Sequence, residues 1–406
     1  MKIVFTGERG VVAPLTWGQR HVMRQRSALN LARVVATPPV LLPLAADAVA
    51  ALVGRHEALR TRLIGPERPE ELPADLADGV AELVRQQVSE GGTLPVEVLE
   101  CSVEEAEASA VDARTRLVAA PFNHVGEWPL RVAVVVAENI VRHVVLVCSP
   151  LAVDDHGIEL VVKDLGLLLR GALPVRSAAQ PADDAEQQRT AGDLTDRAIR
   201  FWTSELRRVA PVTAPAGEPT AVTLRSVALG NAAHAIAERH GVRQSTVFLA
   251  AAAAVFGTVT GERTVAVRTV VTNRFYPDRR DVVAAIAQDG LVVLDLAVPA
   301  FGDLVQQTWR AVVRSHRFGR YDPDRLAKAV GGGVFARVDD RPLGHHEPPP
   351  AGPRPVGGCH LTIGRGEVTL HSDTTLVPVE ESLRALENLL FTAAYQTKPE
   401  RVGPTA

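Results

Sequence analysis

Cysteine is scarce in this chain. Cys101, Cys148 and Cys359 are all that 406 residues contain, and their wide spacing forms neither a disulfide framework nor a zinc-ligand set. That usage fits a reducing compartment, and the expected localisation is cytoplasmic. No signal peptide is expected either, because the opening "MKIVFTGERG" meets charge and glycine after four residues. No apolar run reaches the roughly 18–20 residues of a membrane span; the most apolar one, "STVFLAAAAAVFGTVTG" (245–261), reads as a buried helix. Charge of one sign is missing as well. With 44 basic and 47 acidic residues the net charge is −3, and the signs are interspersed, so neither nucleic acid nor a membrane surface is an expected partner.

What the chain has is length and apolar content. A length of 406 residues exceeds what one compact core usually holds, and two domains of roughly 150–200 residues are expected. Hydrophobic residues make up 46% and mean hydropathy is +0.07, enough for two substantial cores.

Periodicity places helices against sheets in both halves. "PLAADAVAALVGRHEALRTRLI" (43–64) sets Ala46, Val49, Leu52, Val53 and Leu59 on one helical stripe. "PLRVAVVVAENIVRHVVLVCS" (129–149) reads as two strands joined at Glu138-Asn139, and their near-continuous valine predicts burial on both faces. "GIELVVKDLGLLLRG" (157–171) is an amphipathic helix with Asp154 or Asp155 as N-cap. Residues 174–197 lose the apolar period and gain Ala, Asp, Gln and Pro. The expected division is therefore an N-terminal lobe over 1–177, a connector over 178–197 and a C-terminal lobe over 198–406. The second half continues with a helix at 198–209, the strand "AVTLRSVAL", helices at 231–240 and 244–257, a strand at 263–271, the closing hairpin "HLTIGRGEVTLHSDT" and a last helix. Helices against a sheet in each half predict two α/β sandwich lobes.

Several stretches stand in a telling order: "APLTWGQRHVM" (13–23), "GRHEALRTRL" (54–63), "PFNHVGEWPLRVAVV" (121–135), "FWTSELRRVAP" (201–211), "ERHGVRQSTVFLAAAAAVFGTVTGERTVAVRTVVTNR" (238–274) and "GRYDPDRLAKAV" (319–330). Together they resemble the successive signature segments of condensation domains of nonribosomal peptide synthetases. The most specific is "RHEALRTRL", which matches the usual arginine-histidine-glutamate-x-leucine-arginine-threonine run, and the order spans about residues 12 to 395. The resemblance implies two chloramphenicol-acetyltransferase-like α/β lobes in a V-shaped pseudo-dimer, with a tunnel between them that opens to a carrier-protein site at each end. It assigns Arg55, His56 and Arg60 to lobe packing and internal salt links.

In the family, a strand-to-helix loop carries two histidines, three variable residues, an aspartate and a glycine. Counted back from "KDL" (163–165), those positions fall on Ser149, Pro150, Asp154 and Asp155, so both histidines are replaced. The family's second histidine handles the acceptor amine, work that needs an imidazole titrating near neutrality. Proline at 150 has no side-chain donor or acceptor. Loss of a general base costs about 10²–10⁴-fold, whereas positioning two reactants lowers a barrier by roughly 7–11 kcal/mol. An activated thioester held against an amine therefore still reacts, slowly. The resemblance pairs Asp154 with Arg274 across the lobes.

The candidate catalytic residues are Ser149, Asp154 and His156, each with a bland alternative: a strand-end hydroxyl bonded to backbone, a paired or capping carboxylate, and a solvated helix-start histidine. His124 falls either at the tunnel mouth or on a surface loop. The pair His345-His346 lacks a third ligand at useful spacing, and "GGG" (331–333) lacks the order of a phosphate loop; no metal is expected. Where the family has an aromatic-rich run, this chain has "AAIAQD" (284–289), and the small residues leave either a wider passage or a tunnel no longer shaped for chemistry.

Two functions follow from the resemblance. One is a free-standing condensation-like protein of nonribosomal peptide or hybrid natural-product biosynthesis, forming an amide or ester from a carrier-protein thioester by an altered mechanism. The other is an inactive condensation-like domain that docks a carrier protein or recruits a tailoring enzyme. Neither adenylation nor carrier-attachment motifs occur, so the carrier protein acts in trans. No cofactor of the chain's own is expected, the phosphopantetheine arm arriving on the separate carrier.

Overall fold

The computed structural model describes residues 1–25, 30–65, 83–173, 179–212, 214–275, 277–331, 334, 336–340, 358–364 and 366–395. The first lobe begins with β1 (Lys2–Thr6), β2 (Val11–Pro14), α1 (Trp17–Gln25), β3 (Leu31–Leu41) and α2 (Leu42–Arg55). It continues with β4 (Thr61–Ile64), β5 (Arg85–Val88), β6 (Gly91–Glu100), α3 (Ala106–Ala119), β7 (Leu130–Ala137), β8 (Ile140–Cys148) and α4 (Asp155–Leu168). Five of the strands form a sheet in the order β1-β6-β7-β8-β3, and β2-β5-β4 form a small second sheet.

Valine accounts for the centre of the larger sheet. On one face Val132, Val134, Val144 and Leu146 pack against Val49, Leu52, Ile158 and Val161 of α2 and α4. On the other, Ala133, Val135, Val145 and Val147 meet Ala106, Ala110 and Ala113 of α3. Both faces are dry, which is why β7 and β8 show no polar alternation. Their two-residue turn holds Glu138 and Asn139 at φ 53° and 61°, the left-handed geometry that matches strand twist in a tight hairpin.

The predicted stripe over 43–64 is not one helix. α2 ends at Arg55, His56 turns extended, and a short 3₁₀ turn over Glu57–Arg60 leads into β4. Tertiary pairing explains the break. His56 Nε2 lies 2.9 Å from Asp164 Oδ2 on α4, and Arg60 donates to the carbonyls of Gly54, Arg9 and Ser89.

Residues 179–197 of the segment without apolar period carry regular structure. It contains α5 (Pro181–Arg189), and α6 (Gly192–Leu206) follows, so the expected limit at residue 197 lies inside a helix. Polar contacts hide these helices from a periodicity argument. Gln188 accepts from Trp17 N at 2.6 Å and donates to Asp184 at 2.7 Å, and Asp184 is gripped by Arg279 and Arg320.

The second lobe contains β9 (Ala216–Arg225), α7 (Val227–His240), α8 (Gln244–Thr260), β10 (Thr264–Val271), β11 (Gln288–Asp295), α9 (Phe301–Arg317), α10 (Pro323–Val330), β12 (Ala336–Asp340), β13 (Cys359–Gly364), β14 (Glu367–Thr374) and α11 (Val379–Tyr395). Its sheet runs β11-β10-β12-β13-β14-β9. α8 carries the most apolar run and is buried along most of its length in this lobe's core. No single helix among the described residues is long and apolar enough to cross a membrane.

Candidate functional site

β8 ends at Cys148, whose thiol burial pushes up to about 12, and the chain turns at Ser149. Ser149 is wholly buried. Its Oγ accepts from Leu151 N at 3.1 Å and lies 3.4 Å from His124 Nδ1, while its carbonyl accepts from Ala152 N at 2.9 Å. These contacts organise the turn.

Asp154 caps α4, accepting from Gly157 N at 2.8 Å through Oδ1. Its Oδ2 reaches the other lobe, accepting from Arg274 Nη1 at 2.8 Å, Ile286 N at 3.1 Å and Ala287 N at 3.0 Å. Arg274 in turn donates through Nη2 to Val282 and Ala284 carbonyls. The preceding Asn273 takes φ 56°, a conformation asparagine tolerates, and its amide donates to Ile286 O and Gly319 O. The motif loop is thus clasped to residues 282–287. With four donors on its two oxygens, this carboxylate fastens the loop to the other lobe.

His156 starts α4. Burial and the Arg274 charge pull its pKa down, against Asp154 and a hydrogen bond to the backbone of Arg280. That bond ties the imidazole to the same opposite-lobe segment. The structure therefore brings Ser149, Asp154 and His156 into one loop but engages each in holding it. Arg55 and His56 share Asp164, at 3.5 Å and 2.9 Å, and burial lowers the His56 pKa despite that carboxylate.

The backbone of residues 284–285 is approached closely by two glycines. A Cβ on Gly18 of α1 would overlap the Ala285 carbonyl oxygen, and one on Gly157 would come within 3.1 Å of the Ala284 oxygen. Ala284, Ala285 and Ile286 are buried accordingly.

A second cluster escaped the motif search. Asp289 at the start of β11 meets His21 Nε2 of α1 at 3.3 Å, Arg337 Nη1 at 2.5 Å and Arg268 Nη1 at 3.7 Å. Arg337 continues to Asp339 at 2.7 Å, and Asp339 to His360 Nε2 at 2.8 Å. Burial alone would raise both carboxyls, yet Arg337 first, then the histidines, hold each well below the usual range. Part of this was legible: His360 and His371 sit equally far from the Gly364–Glu367 turn, and they pair across the hairpin. The rest joins residues remote in sequence. His345-His346 lies outside the described residues, as does most of "GGG"; among the described residues no group of three or more His, Cys, Asp or Glu could hold a metal ion.

No known family model matches the chain, and no curated protein matches it in sequence. Solved structures do. The condensation domain of the monacolin K polyketide synthase MokA superposes with a TM-score of 0.74 at 17% identity, covering 95% of this chain and 98% of that one. A condensation domain that mediates chain release from the enacyloxin polyketide synthase gives 0.74 at 19% identity, covering 97% and 84%. The X-domain from teicoplanin biosynthesis gives 0.68 at 16% identity, covering 96% and 97%, and a teicoplanin X-domain is also known in complex with OxyB. At these identities the likeness is one of fold. The chain has the condensation-domain fold, two α/β lobes with the motif loop clasped between them.

Proposed function

We propose that the protein takes part in natural-product assembly and transfers an acyl group from a carrier-protein thioester to an amine or hydroxyl acceptor. The observation that carries this reading is the clasp at Asp154. It keeps the motif loop seated against Arg274 and residues 286–287 of the other lobe although both motif histidines are replaced. A held cleft supplies positioning, worth roughly 7–11 kcal/mol of a barrier, and a thioester is already activated toward attack. In this reading the phosphopantetheine arm is that of the carrier protein that delivers the acyl group.

The second reading is non-catalytic docking of a carrier protein or tailoring enzyme. It is favoured by the full engagement of Ser149, Asp154 and His156, and by the likeness to an X-domain solved with OxyB. One experiment separates the two. The protein is mixed with an octanoyl-loaded carrier and a free amine, and product is followed by mass spectrometry beside Ser149→Ala, Asp154→Ala and His156→Ala. Acyl transfer predicts product above background in the wild type and the largest loss in Asp154→Ala. Background turnover in every protein, with carrier binding still measurable, leaves docking as the function.

A further inference from the structure

A cavity of about 210 Å³ lies apart from the motif loop, between the β1–β2 connection, the end of α2 and the start of α5. Its charged lining is balanced, Arg9, Arg55 and Arg60 standing against Glu8, Glu57 and Asp183. The lining is also layered. Glu57, Arg60 and Gln180 are buried and make the floor. Glu8 is exposed, Arg9 and Asp183 are half-exposed, and these three make the mouth.

Two floor groups have donors to spare. Arg60, 2% exposed, commits Nε to Gly54 O and Nη1 to the carbonyls of Arg9 and Ser89. Among the described residues its Nη2 meets no acceptor, because the neighbouring Glu57 turns both oxygens to Arg9, at 2.7 and 3.4 Å. The guanidinium lies flat on the backbone of Gly7, where a Cβ would overlap it, so the group is held before any ligand arrives. Gln180, 9% exposed, accepts from Glu57 N at 3.3 Å through Oε1. That contact leaves Nε2 as a donor, and it too has no partner among the described residues. Neither nitrogen is sealed inside protein, so both open onto the cavity that their residues line.

The electrostatics agree with an anion at the floor. Burial, with the Arg9 charge, pulls the Arg60 pKa down against Glu57 and Glu8, as for a cation short of counter-charge. Gln180 stands at the N-terminal end of α5, where the helix dipole favours a negative group.

We propose that this cavity binds a small zwitterion, a free α-amino acid, with its carboxylate on Arg60 Nη2 and Gln180 Nε2 and its ammonium toward Glu8 and Asp183. Donors on the floor call for an oxygen anion, and carboxylates at the mouth call for a cation. A zwitterion supplies both and leaves the balance of three arginines and three carboxylates unchanged. A phosphate dianion would meet all three carboxylates, and a simple amine would meet Arg60. The volume is below the roughly 300–1,000 Å³ of sites for drug-sized molecules, so the amino acid is one with a small side chain. The site takes no part in the acyl transfer proposed above, and its test does not depend on that reading.

The test is calorimetric titration of the full chain with L-alanine, acetate, methylamine and inorganic phosphate. The expected result is saturable binding of alanine, at least about tenfold tighter than any of the other three, since each of these lacks one charged contact. Gln180→Leu removes a hydrogen bond to a charged group and should weaken alanine by about 10–100-fold. Glu8→Gln, at an exposed position, should weaken alanine by about 2–5-fold and leave acetate as tight or tighter. Arg60→Met should abolish alanine binding, and Glu8→Gln decides the matter where loss of three carbonyl contacts stops that variant from folding. Absence of saturable alanine binding in the wild type overturns the site. Acetate or phosphate bound as tightly as alanine, or Glu8→Gln weakening acetate and alanine alike, overturns the zwitterion as its ligand.

Discussion

The two large sheets treat their second faces differently. The five-stranded sheet is apolar on both, with α2 and α4 on one side and α3 on the other. The six-stranded sheet packs α7, α8, α9 and α11 on one side, while across its other side Arg268, Arg337, His360 and His371 stand in neighbouring register. The first sheet is a support, and the second carries buried charge that no stability argument asks for. Replacing such ions together by apolar residues of similar volume is often neutral or stabilising, whereas removing one partner alone is costly.

The sharpest way to break that contrast is Arg337→Met. It leaves Asp289 and Asp339 without their shared cation, and the expected loss is at the upper end of about 3–5 kcal/mol by urea unfolding. A loss under about 1 kcal/mol means the network is solvated and the contrast fails. Arg274→Met should cost less, about 3 kcal/mol, because Asp154 keeps three backbone N–H donors; an equal or larger loss would rank the clasp above the network.

Acid separates the two regions by window. The folded pKa of His56 lies below its ordinary 6.5, so the unfolded chain binds the proton more readily. Its contribution is complete above pH 6.5 and falls as pH drops toward the folded value, by at most about 1.4 kcal/mol per unit. His56→Asn should flatten the dependence of urea midpoint on pH between 7.5 and 5, the other depressed histidines being common to both proteins. The carboxyls of Asp289 and Asp339 are depressed below 3.8, so their contribution is present above that pH and lost only below it. Arg337→Met removes the cation that offsets burial, so the acid loss should begin at a higher pH than in the wild type; an unchanged acid limb in urea midpoints would mean that Arg337 does not hold these carboxyls down.

The smallest effect concerns the turns. Glu138 is a non-glycine residue at φ 53°, and Glu138→Gly should stabilise by up to about 1 kcal/mol, offset slightly by loss of an exposed pair with Arg142. Gly366→Ala, at φ 74°, should do the reverse in the other lobe's hairpin. Equal signs in the two variants would show that the turns do not constrain the sheets alike.

Much of the support was legible in sequence because it is local. The valine runs of β7 and β8, the turn between them and the cap at Asp154 all follow from neighbours in the chain. α5 was not legible, since its buried side chains include Asp184 and Gln188, which are satisfied by Arg279 and Trp17 N from distant segments. Nor was the break at His56, where a contact with Asp164 overrides an unbroken helical stripe. Of the site, the loop and its missing histidines were visible, but the consumption of Asp154 and His156 by the other lobe was not. The pairing of His21 with Asp289 gave no local signal, because the two lie on elements remote in sequence.

Residues 284–289 are held by several neighbours at once. The α1 backbone rests on Ala285 at Gly18, Asp154 takes the N–H groups of Ile286 and Ala287, and Arg274 takes the carbonyl of Ala284. The next polar side chains along are Gln288, which donates to Tyr321 O at 2.8 Å, and Asp289. This hexapeptide is therefore a mechanical linkage with almost no independent freedom, and α1, α4 and β11 are indexed to one another through it. Three elements remote in sequence thus take their relative positions from the backbone of one short segment.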